Sequence, residues 1–388
     1  MNIDINTNFY KVADTMFRKF GGIDTAEIVD LQSFIDAGKK ASSMSAAELE
    51  GAFIPGLVMV FNQVFSISRS YEGMYKELYR GTISPNGNTI ELILHKFMTT
   101  QAAVFTSLTD GQSVDQYIIK KPDVDVRFYT KSNVYDIMYT IEYDQMYKSF
   151  ESPEATIRFW SDVRTQMSNT NEATREAARI ALVADVIARL TDESVVTPAT
   201  DEMTPSMRYK VVTLYNELTG ANFANYMQAI HNREFNIYLA SLIKQKMDDL
   251  KVHSVLYNTE KYDTFTREED RLVFLHSKIA SLMNAYIKGD GYNPGAQMIT
   301  DYISVPFWQD AKNPFIVKYK NPKGEDEITS PPVACVIADK MVMGEYMRTQ
   351  VVENTPYNAR GRYWDTYLHC EFRYMNCEAA NAVIFTLD

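Results

Sequence analysis

Residues 360–388 read RGRYWDTYLHCEFRYMNCEAANAVIFTLD, and this stretch carries a long strand pattern. Side chains along it alternate between apolar and polar, as they do in a strand with one buried face. The face predicted to be buried holds Trp364, Thr366, Leu368, Cys370, Phe372 and Tyr374, and the opposite face holds Asp365, Tyr367, His369, Glu371 and Arg373. Val383, Phe385 and Leu387 then predict a final strand, so this end of the sequence should be tied back into the body of the fold.

Further upstream, a long helical pattern begins at Ser152. Ser152 is a suitable N-cap, Pro153 suits the first helical position, and Glu154 favours the positive end of the helix dipole. Small and apolar residues then recur at helical spacing as far as Leu190. The polar run 169–171 interrupts them, so the pattern predicts either one long helix with a kink or two helices in series.

Three more helices are predicted downstream of this one. The first should start at Thr204-Pro205 and end at Gly220, and the second should cover Glu234 to Leu250. The third should follow a capping box formed by Thr266 and Glu269 and end at Gly289. Its apolar positions, spaced by three and four, are Leu272, Leu275, Ile279, Leu282 and Tyr286.

Residues 80–143 predict long strands and turns that extend away from a compact body. Asn86-Gly87 is a hairpin-turn signal, and an alternating pattern over Ile90 to Leu94 follows it. Pro122 opens a second strand region, which has two alternating sets: Val124, Val126 and Phe128, then Ile137, Tyr139, Ile141 and Tyr143. By contrast, residues 1–52 mix short apolar groups with glycines and polar runs, which predicts a loosely structured arm that either stays mobile or lies on another surface.

Composition limits the class of protein. The formal net charge of −11 disfavours binding to nucleic acid through a basic face. We find no window close to the roughly 18 apolar residues that a membrane helix needs. Acids near Met1 stand where a signal peptide needs basic residues, so synthesis in the cytoplasm is expected. The 25 tyrosines and 19 methionines suit a protein with much interface.

No catalytic, cofactor-binding or metal-binding residues are predicted. The histidines are scattered, and no HExxH, GxGxxG, GxxxxGK[ST] or GxSxG motif occurs. Asp123-x-Asp125 lacks the Gly and Glu of a calcium loop, and Glu268-Glu269-Asp270 are expected in the first turn of a helix. An odd number of cysteines without CxxC spacing predicts buried thiols at Cys335, Cys370 and Cys377.

Several motifs occur in a fixed order along the chain. They are Pro122-x-Val124 with Phe128, then Thr140-Ile141-x-x-Asp144, Phe150-x-Ser152 with Phe159, Val336-Ile337-Ala338-Asp339-Lys340, Arg360-Gly361-x-Tyr363-Trp364-x-x-Tyr367-x-His369, and Ala380-Asn381-Ala382-Val383-x-Phe385. They resemble the major capsid proteins of small podoviruses of the phi-twenty-nine-like, picovirus type. The resemblance covers roughly 120–195 and 330–388, and the closing motif is its most specific part.

This resemblance implies an α+β protein with the Johnson-type fold of tailed-phage capsids. The expected order is an N-terminal arm, an extended β-loop, a peripheral domain with a long spine helix, and an axial domain. The predicted boundaries are 1–52 for the arm, 53–143 for the extended loop and its flanking peripheral-domain segment, 144–204 for the peripheral domain with the spine helix, 205–350 for the axial domain, and 351–388 for strands that return to the peripheral domain.

The function implied by the resemblance is assembly. The chain is expected to form pentamers and hexamers of an icosahedral or prolate head that encloses double-stranded DNA without reading its sequence. The expected partners are copies of itself, a portal and a scaffolding protein, with no membrane and no cofactor. Assembly is expected in the host cytoplasm. Two alternatives are an encapsulin-like compartment shell that holds a protein cargo and a cytoplasmic α+β enzyme without a recognisable motif.

Overall fold

Helices and strands alternate irregularly along the chain, as in an α+β protein. The computed structural model describes residues 14, 27–43, 71–83, 89–95, 97, 108–113, 124–149, 153–288, 299, 301–320 and 327–388. The α-helices in these ranges are α1 (Leu31–Ser43), α2 (Tyr143–Ser149), α3 (Pro153–Thr191), α4 (Val211–Thr219), α5 (Tyr226–Ile230), α6 (Arg233–Asp249) and α7 (Ser277–Lys288). The strands are β1 (Tyr79–Thr82), β2 (Ile90–His95), β3 (Val124–Tyr129), β4 (Ser132–Glu142), β5 (Arg208–Lys210), β6 (Arg271–His276), β7 (Ile303–Val305), β8 (Lys318–Lys320), β9 (Glu327–Thr329), β10 (Val333–Asp339), β11 (Met343–Asn354), β12 (Tyr363–Asn376) and β13 (Ala382–Thr386).

Contacts divide the chain into two compact units. The first comprises 1–73, 133–176 and 347–372, and the second comprises 74–132, 177–346 and 373–388. The five segments expected from the resemblance are a different division, and they stay a prediction. Most of the predicted arm lies outside the described residues. Within it, α1 buries Phe34 and Ala37, so this part is a packed helix.

The second unit is built on a five-stranded sheet with the order β5-β13-β10-β6-β7. In its centre, Ile337 of β10 pairs with Val273 of β6 on one side and with Val383 of β13 on the other, both antiparallel. Helices α4, α6 and α7 pack against this sheet through buried aliphatic side chains such as Leu239 and Ile279. The predicted final strand is confirmed, and every residue of β13 is buried.

A four-stranded sheet has the order β1-β11-β12-β4. The first unit contains β4 from residue 133, β11 from residue 347, β12 as far as residue 372 and α3 as far as residue 176. The ring of Tyr135 on β4 stacks on Phe372 of β12 at 6.2 Å, and the guanidinium of Arg175 lies 4.6 Å from the same Phe372 ring. The predicted alternation of β12 is confirmed as far as Phe372, because Trp364, Leu368 and the other apolar residues of that face are buried. It is wrong at Arg373, which was predicted on the exposed face and is buried.

The long helical pattern is one continuous helix, α3. Its polar run stays helical because neighbouring groups use the side chains. Asn169 Oδ1 accepts the backbone N–H of Tyr71 at 2.8 Å, and Asn171 Oδ1 accepts the hydroxyl of Tyr135 at 2.6 Å. Thr170 donates to the carbonyl of Gln166 within the helix at 2.8 Å. The run is therefore a contact surface inside the first unit.

Two predicted helix starts are wrong. Residues 271–276 form the strand β6, and Thr266 donates to the carboxylate of Asp339 at 2.8 Å instead of capping a helix. The acids Glu268–Asp270 form a 3-10 turn before that strand. A strand covered on both faces is apolar at nearly every position. Leu272 and Leu275 of this strand are three positions apart, and this spacing was therefore interpreted as helical. Similarly, 208–210 is strand β5, and the helix that ends at Gly220 starts only at Val211.

Strand pairing also differs from the prediction between residues 80 and 143. A hairpin at Asn86-Gly87 would pair its flanking strands, yet β1 lies beside β11, and β2 pairs with β3. The two turn residues themselves lie outside the described ranges. Strand β4 belongs to the four-stranded sheet, so it does not extend away from the body. The part that remains separate is the antiparallel pair β2–β3, which we call the ribbon.

The second unit contains a buried ion pair, and losing one of its two charges should destabilise the unit more than losing both. Arg179 donates from Nη2 to Glu345 Oε2 at 2.6 Å, and both side chains are at most 1% exposed. We expect Arg179→Met to lower the free energy of unfolding by about 3–5 kcal/mol, because it leaves a buried charge without its counterion. Urea unfolding of the unassembled subunit measures this change.

The double variant Arg179→Met/Glu345→Leu should be less destabilised than the single variant, because both charges are removed together. As a control, Lys244→Met breaks an exposed ion pair with Asp248 and should change stability by less than about 0.5 kcal/mol. A double variant as unstable as Arg179→Met would contradict this account of the pair.

Candidate functional site

The structure distributes the motif residues over separate places. Asp144, Gly361, Tyr363 and Trp364 come together at one turn of the first unit, as described below. Asp339 and Asn381 meet inside the second unit, and Phe128 lies on the ribbon. Pro122 and Ser152 fall outside the described residues.

An aromatic cluster anchors the turn 355–364, which we call the aromatic turn. Trp364 is 2% exposed, and its ring lies 4.8 Å from that of Tyr357 and 6.1 Å from that of Tyr143. Tyr143 donates its backbone N–H to the carbonyl of Arg362 at 2.9 Å. The guanidinium of Arg362 lies 5.0 Å from the Tyr143 ring and 3.2 Å from Asp144. The turn is therefore fixed to the start of α2.

Asn358 holds the backbone of the aromatic turn in shape. Its Oδ1 accepts the N–H of Gly361 at 3.0 Å, its carbonyl accepts the N–H of Arg362 at 2.7 Å, and its Nδ2 donates to the Tyr363 hydroxyl at 3.1 Å. A Cβ at position 361 would lie 2.2 Å from the Tyr363 ring. Glycine is thus required by the close approach of that ring.

Arg360 lies exposed at the tip of this turn. In the described part of the chain we find no hydrogen bond, ion pair or ring contact for its guanidinium, whereas Arg362 pairs with Asp144. The sequence pattern contained Arg360 only as the first letter of a motif. That its guanidinium has no such contact in the described residues depends on the fold and could not be found from spacing.

Asp339 and Asn381 belong to a buried polar network. Thr266 Oγ1 and the N–H of Met341 both donate to the Asp339 carboxylate at 2.8 Å. Asn381, which is fully buried, accepts from Asn258 Nδ2 at 3.3 Å, and its carbonyl accepts the N–H of Asp339 at 2.9 Å. Burial raises the pKa of the Asp339 carboxyl above its ordinary value of 3.8. This network joins the loop before β6 to the end of β10.

The remaining motif residues serve local structure. Lys340 donates from Nζ to the carbonyl of Glu269. Tyr367 and His369 stack side by side on the exposed face of β12, with ring centroids 5.8 Å apart. His369 Nε2 lies 3.7 Å from a carboxylate oxygen of Glu353. Neither Tyr367 nor His369 contacts Arg360 through these interactions.

The ribbon has one face against its own unit and one face in solvent. On the inner face, Ile90 and Leu94 are buried, and Arg127 pairs with Glu260. The pairing register places Phe128 opposite Glu91 and Val126 opposite Ile93 on the outer face. The predicted alternation of Val124, Val126 and Phe128 is present, but these side chains point outward: Phe128 is 62% and Ile93 47% exposed.

Groups suited to chemistry are sparse in the described residues. There, no three His, Cys, Asp or Glu side chains lie close enough to hold a metal ion. A cavity beside Ala240, Met283 and Tyr302 has a volume of about 10 Å³, room for a single water molecule. The three cysteines are free and buried, as predicted. No helix in the same described part is long and apolar enough to cross a membrane.

Comparison with known families identifies this architecture. A family model described as "Phi29-like phage major capsid protein" matches residues 36–386. The chain belongs to this family of phage capsid proteins. The resemblance found in the motifs is thereby confirmed, and the capsid protein is a structural component of the phage head.

The chain is also similar to chains in solved phage capsid structures. The capsid protein is similar to a chain in "Capsid structure of Staphylococcus phage Andhra", with a TM-score of 0.54 and 13% identity over 83% of this chain and 86% of that chain. This likeness confirms the Johnson-type fold. A chain in "Capsid structure of the Cyanophage P-SCSP1u" also matches, with a TM-score of 0.47 and 13% identity over 83% and 90% of the two chains. Comparison with curated protein sequences gives no match.

The aromatic turn of the capsid protein should tolerate no side chain at residue 361. We expect Gly361→Ala to displace the Tyr363 ring, break its hydrogen bond with Asn358 and cost about 1–3 kcal/mol of stability. Urea unfolding of the unassembled subunit provides the measurement. Ala359→Ser, at an exposed position of the same turn, is the control and should be nearly neutral. Equal stability of the two variants would contradict the account.

The buried network makes the stability of the capsid protein depend on pH. The folded chain holds the Asp339 proton more tightly than the unfolded chain does, because burial raises its pKa above 3.8. This contribution is fully present below pH 3.8 and is lost as the pH rises through the folded pKa. Asp339→Asn has no such proton, so wild type should lose stability relative to this variant as the pH rises from 3.8 through the folded pKa. Urea unfolding at a series of pH values measures this difference. A difference in the free energy of unfolding between the two proteins that stays constant with pH would contradict this account.

Proposed function

We propose that this capsid protein works by assembling with copies of itself into pentamers and hexamers. These form the head of a tailed phage and enclose double-stranded DNA. In closed rings of this kind, each subunit uses two different surfaces, one for each neighbour. No step of this function needs catalysis.

The observation that carries the proposal is the outer face of the ribbon. Four large apolar side chains lie together there, each about two fifths exposed or more: Ile93, Val124, Val126 and Phe128. Exposed patches of neighbouring apolar residues mark interaction surfaces in soluble proteins. The inner face of the same ribbon is fixed by the pair Arg127–Glu260, so the outer face is presented on a supported element.

Charge supports the role of a container. With a net charge of −11, the chain repels phosphate groups more than it attracts them. An acidic inner wall would keep packaged DNA from adhering to the shell, and a strongly basic inner surface would speak against this. Weak individual contacts suffice to hold such a shell, because many act at the same time.

A scaffolding protein and a portal complete the proposed assembly, which takes place in the host cytoplasm. The family match favours neither an encapsulin-like compartment nor an enzyme of unrelated fold. The five predicted segments, from the arm 1–52 to the returning strands 351–388, form part of this proposal. In it, the ribbon belongs to the extended loop.

Assembly should depend on the outer face of the ribbon. Phe128→Asp places a charge in the centre of the exposed apolar face, and we expect it to abolish shells while the subunit still folds, because Phe128 is 62% exposed. Negative-stain microscopy and sedimentation of the protein expressed with a candidate scaffolding protein provide the measurement. Phe128→Leu keeps the apolar surface and should still assemble. Normal shells from Phe128→Asp would exclude the ribbon as an assembly surface.

A further inference from the structure

A buried histidine lies at the junction between β6 and α7. His276 is the last residue of the strand, and Ser277, which follows it, is the first residue of the helix. The side chain of His276 is 2% exposed. The other four histidines are exposed: His95, His231, His253 and His369. His276 therefore occupies the N-cap of α7, the position whose side chain can accept a free N–H group of the first turn.

The imidazole caps α7 through Nδ1, which accepts the backbone N–H of Lys278 at 3.2 Å. A backbone N–H can only donate a hydrogen bond, so Nδ1 carries no proton in this arrangement. The ring is then neutral, and its proton is on Nε2. The cap thus requires one charge state and one tautomer of His276.

Apolar and aromatic groups surround the ring. Its face stacks on Phe315, with the two centroids 3.8 Å apart and the planes at 10°. Tyr226 packs edge-on against the same Phe315 ring at 5.5 Å, and Val305 of β7 is the register partner of His276. These contacts keep water away from the imidazole and hold it in the capping position.

The surroundings of the ring disfavour a positive charge on it. Burial lowers the pKa of His276 from 6.5 to about 4, the carbonyl of Pro314 partly offsets this effect, and the ammonium group of Lys278 adds to it. On the neighbouring strand β10, burial raises the pKa of the Cys335 thiol, which stays neutral. Among the described residues, no carboxylate forms an ion pair with His276. An imidazolium at this place would have no counterion there.

We propose that His276 is an acid-sensitive N-cap, which fixes the start of α7 only while its ring is neutral. A proton on Nδ1 turns the acceptor into a donor that faces the N–H of Lys278 and the positive end of the helix dipole. The charged ring gains hydration only by leaving its place. Because α7 packs into the core of the second unit through Ile279 and Met283, loss of the cap loosens that core. This device lies within one subunit and goes beyond the proposed assembly.

A cap that cannot titrate tests the device. In His276→Asn, the side-chain oxygen can accept the same N–H, and asparagine takes up no proton. The unfolded chain binds a proton at His276 near pH 6.5 and the folded chain only near pH 4, so acid favours unfolding between these values. Across that window, as the pH falls, we expect the unfolding constant of wild type to rise relative to that of His276→Asn by up to about tenfold per pH unit. Urea unfolding of the unassembled full chain at a series of pH values measures it.

The matched control is His231→Asn. His231 is exposed and the variant keeps His276, so its unfolding constant should follow that of wild type at every pH. Asp339 responds to pH in the opposite sense, but it is present in all three proteins and cancels from the comparison. A ratio of unfolding constants between wild type and His276→Asn that does not change across the window would overturn the proposal.

Nuclear magnetic resonance of the wild-type chain gives a second readout that needs no variant. Ring nitrogen shifts of isotope-labelled histidine distinguish the charged ring from each neutral tautomer. We expect one of the five histidines to keep the shifts of the neutral ring with its proton on Nε2 as the pH falls from 6.5 to about 4. If all five take up a proton near pH 6.5, or if none shows this tautomer, the proposed cap is wrong.

Discussion

The alternation along β12, which buries every second side chain from Trp364 to Phe372, is the constraint on which the first unit depends. Trp364, at one end of the alternation, provides the ring on which the aromatic turn rests. Phe372, eight positions further in the same set, receives Tyr135 from β4 and Arg175 from α3. A slip of one residue in this strand would turn both rings to the other face. The turn and the helix packing would then be lost together.

The interior of the molecule is mainly apolar, but it also contains charged and polar side chains, and some large apolar side chains lie exposed. Arg179 and Glu345 form an ion pair in the interior, and Asp339 and Asn381 hydrogen bond in a buried network. The ribbon at the same time exposes Phe128. Buried polar groups need defined partners, which favours one arrangement of the chain. Such an arrangement suits a subunit that must present the same surfaces in every copy.

Sequence reasoning succeeded where one periodicity dominates over many residues, as in β12 and α3. It failed at β6, because a strand covered on both faces shows no alternation, and the spacing of its leucines imitated a helix. Thr266 has the sequence context of a helix cap, yet its hydroxyl bonds to Asp339, which lies 73 positions away. The outward direction of Val126 and Phe128 was equally hidden, since both faces of the ribbon carry apolar residues. Such features depend on distant parts of the chain.

The three buried thiols have a consequence for the particle after it leaves the cell. Burial raises the pKa of Cys370 to about 11 and raises that of Cys335 as well, so both stay protonated at neutral pH. A protonated thiol shielded from solvent is a poor nucleophile towards oxidants. Exposure to air therefore adds no disulfides between subunits through these groups. The contribution of these cysteines to the contacts between subunits is therefore the same in a reducing and in an oxidising environment.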